Sequence, residues 1–76
     1  MKEILETIIL NMVDNKEAVV ITETLEERKA NYVVKIAEED MGRIIGKQGK
    51  TAKAIRMVMK SVAGKEHKRI EVEFVN

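Results

Sequence analysis

The apolar residues change their period three times within 76 residues, and that succession limits the chain to a small mixed α and β fold. From Met1 to Val13, the residues Ile4, Leu5, Ile8, Ile9, Met12 and Val13 recur at helical spacing. From Ala18 to Leu25 the chain is rich in β-branched residues and reads as a strand. A polar turn, Glu26-Glu27-Arg28-Lys29, leads into Ala30 to Ala37. There Tyr32, Val34 and Ile36 face one way and Asn31, Val33 and Lys35 the other. Two strands joined by so short a turn predict an antiparallel hairpin. The helical period returns in Glu39 to Ile45 and again in Lys50 to Ala63, with Gly46-Lys47-Gln48-Gly49 between them. Gly64 is expected to cap the second of these helices. After a basic loop, Arg69 to Val75 alternates with Ile70, Val72 and Phe74 inward.

Helix, strand, strand, short helix, helix, strand is the order of a two-layer α+β sandwich. Each strand offers one mainly apolar face, so a three-stranded sheet needs helices on one side only. A chain of this length is expected to form one domain, residues 1–76, with a small core. Ile4, Ile8 and Met12 and the inward strand residues are assigned to that core. In the longer helix, Ala52, Ile55, Met59 and Val62 form the apolar face, while Lys50, Lys53 and Lys60 lie opposite with Met57 among them.

The net charge of +1 conceals an uneven distribution. Residues 1–42 carry 5 Lys/Arg against 10 Asp/Glu, whereas residues 43–69 carry 9 Lys/Arg against Glu66 alone. Such asymmetry suits either an anionic partner or a solvated basic face.

Several chemistries lack their residues. There is no cysteine, so disulfides, thiolate zinc sites and Cys nucleophiles are excluded. His67, the one histidine, cannot build a typical zinc site, and Ser61 has no triad around it. Glu38-Glu39-Asp40 lacks the ligand spacing of a calcium loop and suits a helix start. No cofactor is implied, and the chain is not expected to be an enzyme. No apolar run is long enough to span a membrane, and Met1-Lys2-Glu3 opens a periodic pattern rather than a signal sequence. A cytoplasmic location is expected.

The turn Gly46-Lys47-Gln48-Gly49 carries the functional signal. Glycines permit positive φ and close approach of a ligand to the backbone. A helix that starts at Lys50 directs its free N–H groups into the turn, a setting suited to an anion. Lys47 and Lys50 add full charges. Gly49-Lys50-Thr51 could end a P-loop, but that motif needs its first glycine where Ile44 stands, and it follows a strand rather than a helix.

Ile45-Gly46-Lys47-Gln48-Gly49, with Ile55 six residues beyond Gly49, resembles the IGxxGxxxxxI core of KH domains. The element order is similar to that of the bacterial type II form. The stretch from Glu39 to Arg56 resembles the KhpA family of small single-KH proteins, and the likeness runs through the whole chain. The resemblance implies a non-catalytic single-stranded RNA-binding protein whose GXXG turn, Gly46 to Gly49, clamps the RNA backbone. Ile45 and Ile55 match the motif's groove positions. Arg43, Lys50 and Lys53 flank the turn on the basic segment. The loop Gly64 to Lys68 matches the variable loop that closes the groove, and the resemblance implies phosphate contacts from its Lys65, His67 and Lys68, with Arg69. The family further implies self-association, a larger KhpB-like partner, and work as an RNA chaperone or regulator linked to the cell wall and cell shape. The alternative is an interaction module whose main task is homo- or hetero-dimerisation, with RNA bound chiefly by the partner. Met57 is either a plain surface residue or part of such an interface.

Overall fold

The computed structural model describes Met1 to Asn76. It contains α1 (Lys2–Leu10), β1 (Val20–Leu25), β2 (Lys29–Lys35), α2 (Glu38–Ile45), α3 (Lys50–Lys65) and β3 (Arg69–Val75). The sheet runs in the order β1-β2-β3. β1 and β2 form the expected antiparallel hairpin, and β3 joins β2 in parallel. Its three helices and one mixed sheet make an α+β fold consistent with the type II KH arrangement.

The register explains the core. Ala30, Tyr32 and Val34 of β2 sit opposite Ile70, Val72 and Phe74 of β3. All six are buried beneath the helices, where they meet Ile44 of α2 and Ala52, Ile55, Met59 and Ala63 of α3. On β1 only Ile21 is buried. Glu23 lies beside Tyr32 in the register and accepts the tyrosine hydroxyl hydrogen at 2.7 Å. Burial, and then this carboxylate, push the Tyr32 hydroxyl well above its usual range.

Three local expectations are corrected. The first helix ends at Leu10 rather than Val13. The Asn11 side-chain amide donates to the Thr7 carbonyl at 2.7 Å, and Met12 N–H turns back to Ile9 at 3.0 Å. Within that helix the core residues are Leu5 and Ile9. Ile4 is 42% exposed, and Ile8 and Met12 lie at the margin. A helix packed on one side buries a narrow i, i+4 stripe, and the neighbouring apolar positions stay at its rim. Finally, Gly64 is helical and caps nothing. The cap lies three residues later, where His67 adopts φ 58°. Lys68 N–H donates to Ala63 and His67 N–H to Gly64, the paired bonds of a Schellman ending.

Asp40 is the one buried charged residue, 2% exposed. Its two carboxylate oxygens accept the backbone N–H groups of Asp14 and Asn15 at 3.0 and 3.1 Å. Those bonds hold its carboxyl below the usual carboxylate value. One turn along α2, Arg43 donates to the Met12 carbonyl and to Asp14, both at 3.1 Å. Two side chains of α2 therefore fasten the end of α1, and α2 leads directly into the glycine turn.

Candidate nucleic-acid interface

Gly46 closes α2 with φ 76° and ψ 177°, a region essentially reserved for glycine. Gln48 and Gly49 follow at φ 59° and 75°. Gly49 N–H returns to the Gly46 carbonyl at 3.2 Å. Two positive-φ residues in succession fold the turn back on itself. Lys47 and Gln48 are left exposed at its tip. No side-chain oxygen caps the start of α3, so the positive end of that helix opens toward the turn.

From the turn a basic stripe follows α3. Lys53, Arg56 and Lys60 are three and four residues apart, which places them on one side of the helix. Arg56 was absent from the expected site, and the structure gives it a fixed position. Its Nε–H donates to the Val72 carbonyl at 3.0 Å, and its guanidinium stands 5.3 Å from the centre of the Phe74 ring. That carbonyl is free because β3 is an edge strand. Val75 accepts from Ile36 and Arg69 donates to Arg28, so the backbone groups of the alternate residues Ile70, Val72 and Phe74 face away from β2.

Beside this seam lie two cavities, of about 680 and 360 Å³. They share Lys60, Ile70 and Glu71 and form one trough, whose larger part reaches past β3 to Thr24, Asn31 and Val33 on the sheet face turned away from the helices. Arg56 and Glu73 stand at one end, and Lys29, Lys68 and Arg69 at the other. As α3 advances from Arg56 to Lys60, β3 retreats from Val72 to Ile70. The two elements run in opposite directions, and the glycine turn lies beyond the Arg56 end.

The expected site residues divide by their surroundings. Lys47, Gln48, Lys50 and Lys53 are exposed around the turn, and Gly46 and Gly49 shape it. Ile45 is half-buried beside them. Ile55, expected in the groove, is only 5% exposed, belongs to the core and lines neither cavity. Arg43 spends its Nη1 on the end of α1. Lys68 lines the trough, whereas Lys65 is exposed and lines neither cavity. The side-chain ion pairs are Lys29–Glu71 at 3.4 Å and Arg43–Asp14 at 3.1 Å. The cations of the turn and of the stripe therefore have no acid partner. A sequence signal for Arg56 did exist, in its i+3 spacing from Lys53, but nothing in the sequence says which strand lies at the sheet edge.

No solved structure matches the chain. Relatives named "RNA-binding protein KhpA" are similar over 99% of this chain. The one from Clostridium acetobutylicum is 48% identical and covered in full, and that from Clostridium perfringens is 47% identical and also covered in full. The Listeria monocytogenes relative is 41% identical and covered over 99% of its length. The family model described as "KhpA/KhpB, KH domain" matches residues 2–74. With its glycine turn between two helices and its edge strand closing the trough, the chain belongs to the KhpA/KhpB KH-domain family.

Proposed function

We propose that this protein binds single-stranded RNA without catalysis, its Gly46–Gly49 turn clamping the RNA backbone. The observation that carries the reading is the turn itself. It has a backbone that only glycine allows at Gly46, an uncapped helix start, and the unpaired cations Lys47, Lys50 and Lys53 around it. Phosphate contacts of this kind supply affinity and little sequence information. Bases lie along the trough, where the free backbone groups of β3 offer donors and acceptors to their edges. With Phe74 buried and covered by Arg56, stacking on aromatic rings contributes little. One such module binds weakly, and a second raises avidity by roughly 10²–10⁴. The chain accordingly acts in the cytoplasm with a second KH module, either another copy or a KhpB-like protein, as an RNA chaperone or post-transcriptional regulator.

The second reading is an interaction module that leaves RNA to its partner. It is favoured by Met57 and Val58, adjacent on α3 and 63% and 46% exposed. One titration separates the two. Fluorescence anisotropy of an eight-nucleotide single-stranded RNA is followed at two salt concentrations, with wild type and with Lys47→Asp/Gln48→Asp. Under the first reading the wild type binds with a salt slope of about −0.7 per phosphate contact, and the folded variant does not bind. No binding by either form alone, with equal RNA retention by both once a KhpB-like protein is present, establishes the second.

A further inference from the structure

β1 and β3 are the two edges of the sheet, and they are covered differently. At β3 the Arg56 side chain occupies the Val72 carbonyl. β1 has no such cover. It is six residues long, contains neither Lys nor Pro, and pairs with β2 residue for residue, without a bulge. The devices that commonly blunt a sheet edge, a lysine, a proline or a bulge, are thus missing from it. Glu26 N–H donates to the Lys29 carbonyl at 2.8 Å, and this bond sets the phase of the hairpin. Bonded and unbonded pairs alternate in an antiparallel ladder. Val20, Thr22 and Thr24 therefore bond to β2, while Ile21, Glu23 and Leu25 turn their N–H and C=O groups out of the sheet. No other backbone group of the chain reaches those three residues.

Their side chains share the helix side of the sheet, in the order apolar, acid, apolar. Ile21 is buried, whereas Leu25 is 53% exposed and Glu23 is exposed. Tyr32 holds Oε2 of Glu23, which leaves Oε1 free on a fixed carboxylate. After burial and Glu23, the charges of Glu66 and Glu3 also raise the Tyr32 hydroxyl, so acids from β1, from the end of α3 and from α1 gather around this point. Neither Glu23 nor Glu66 has a cationic partner.

We propose that β1 takes up a basic extended segment of another protein as a fourth, antiparallel strand. A Lys or Arg of that segment stands opposite Glu23, with an apolar residue two positions away on either side, opposite Ile21 and Leu25. Charge selects this occupant. A second copy added through its own β1 brings the acids of both edges together, and in the register centred on Glu23 it sets that residue against itself. A polyanion is repelled by the same field. The edge lies across the sheet from the trough, so the inference goes beyond the RNA-binding reading and does not depend on whether RNA binds.

The test uses a synthetic peptide, acetyl-Thr-Val-Thr-Arg-Thr-Val-Thr-amide, titrated into the ¹⁵N-labelled full chain. The expected result is saturable shifts of the Ile21, Glu23 and Leu25 amides with the Gly46–Gly49 turn unmoved. The same peptide with Glu in place of Arg should bind roughly five- to ten-fold more weakly. Glu23→Gln keeps an acceptor for the Tyr32 hydroxyl and should bind the two peptides alike. N-methylation of the peptide at Arg and both Val, whose backbone groups face β1 in the added strand, should abolish binding. N-methylation at the two Thr beside the Arg should leave it. Absence of shifts at millimolar peptide in the wild type overturns the proposal. So do equal affinities of the wild type for the Arg and Glu peptides, and so does indifference to which nitrogens are methylated. Shifts of the β1 amides on concentrating the protein alone assign the edge to a second copy and overturn it as well.

Discussion

Gly46 and Thr51 approach so closely that a β-carbon on the glycine would overlap the threonine side chain and lie 2.9 Å from the threonine backbone nitrogen. Gly49, the other glycine of the turn, has open space where its β-carbon would be. The two glycines are therefore required for different reasons. Gly46 answers both to its φ of 76° and to Thr51, and Gly49 answers to its φ of 75° alone.

Alanine substitution should separate these reasons. Gly49→Ala is expected to cost roughly 1 kcal/mol and Gly46→Ala roughly 2–3 kcal/mol. Urea denaturation followed by circular dichroism measures both. Equal costs would mean that the contact with Thr51 carries no weight. RNA binding should fall further in Gly46→Ala, since the chain can relieve the overlap only by reshaping the turn.

Asp40 should make the fold sensitive to acid. The N–H groups of Asp14 and Asn15 favour its charged form, so its folded carboxyl ionises below the usual value of 3.8. The stabilisation is present above that unfolded value and is lost as pH falls through the lower folded one. Asp40→Asn leaves one of the two N–H groups facing an amide donor. At pH 7 the melting temperature should drop by about 5 °C or more, and the difference from wild type should shrink toward pH 2. A constant difference from pH 7 to pH 2 would show that ionisation of Asp40 is not what holds the end of α1.

His67 occupies a left-handed position that glycine fills at lower cost. His67→Gly should raise stability by about 0.5–1 kcal/mol, read as a higher urea midpoint at an unchanged slope. His67→Ala should bring no such gain. A midpoint lowered by the glycine would place the role of His67 in its side chain rather than in its backbone.

Arg56 joins α3 to the open edge of β3, and lysine has no planar guanidinium to bond Val72 and cover Phe74 together. Arg56→Lys keeps the charge and should still lower stability by about 0.5–1 kcal/mol, through the lost hydrogen bond. Its salt slope for RNA should match that of wild type, whereas Arg56→Ala should flatten the slope by about 0.7. A flattened slope in the lysine variant would show that geometry, and not charge alone, governs the phosphate contact.

Much of this was legible in the sequence, because it depends on neighbours in the chain. Helical and alternating periods located five of the six elements and a run of β-branched residues the first strand, since each reports a local geometry. The hairpin followed from its short turn. The glycine turn was readable because positive φ is a single-residue property that glycine satisfies.

Tertiary structure decided what depends on residues far apart in sequence. Whether Ile4 or Leu5 faces inward depends on how α1 lies on its neighbours. Asp40 reads locally as a helix-start acid, yet its partners lie 25 and 26 residues away. Arg43 and Arg56 look alike as basic residues near the turn. One is spent on the end of α1 and the other seals an edge strand, a difference set by packing and by strand order. The same holds for the trough, whose cations gather from three segments only once β3 has paired with β2. Periodicity records which face of an element is apolar. It carries no record of which other element that face, or a free carbonyl at a sheet edge, will meet.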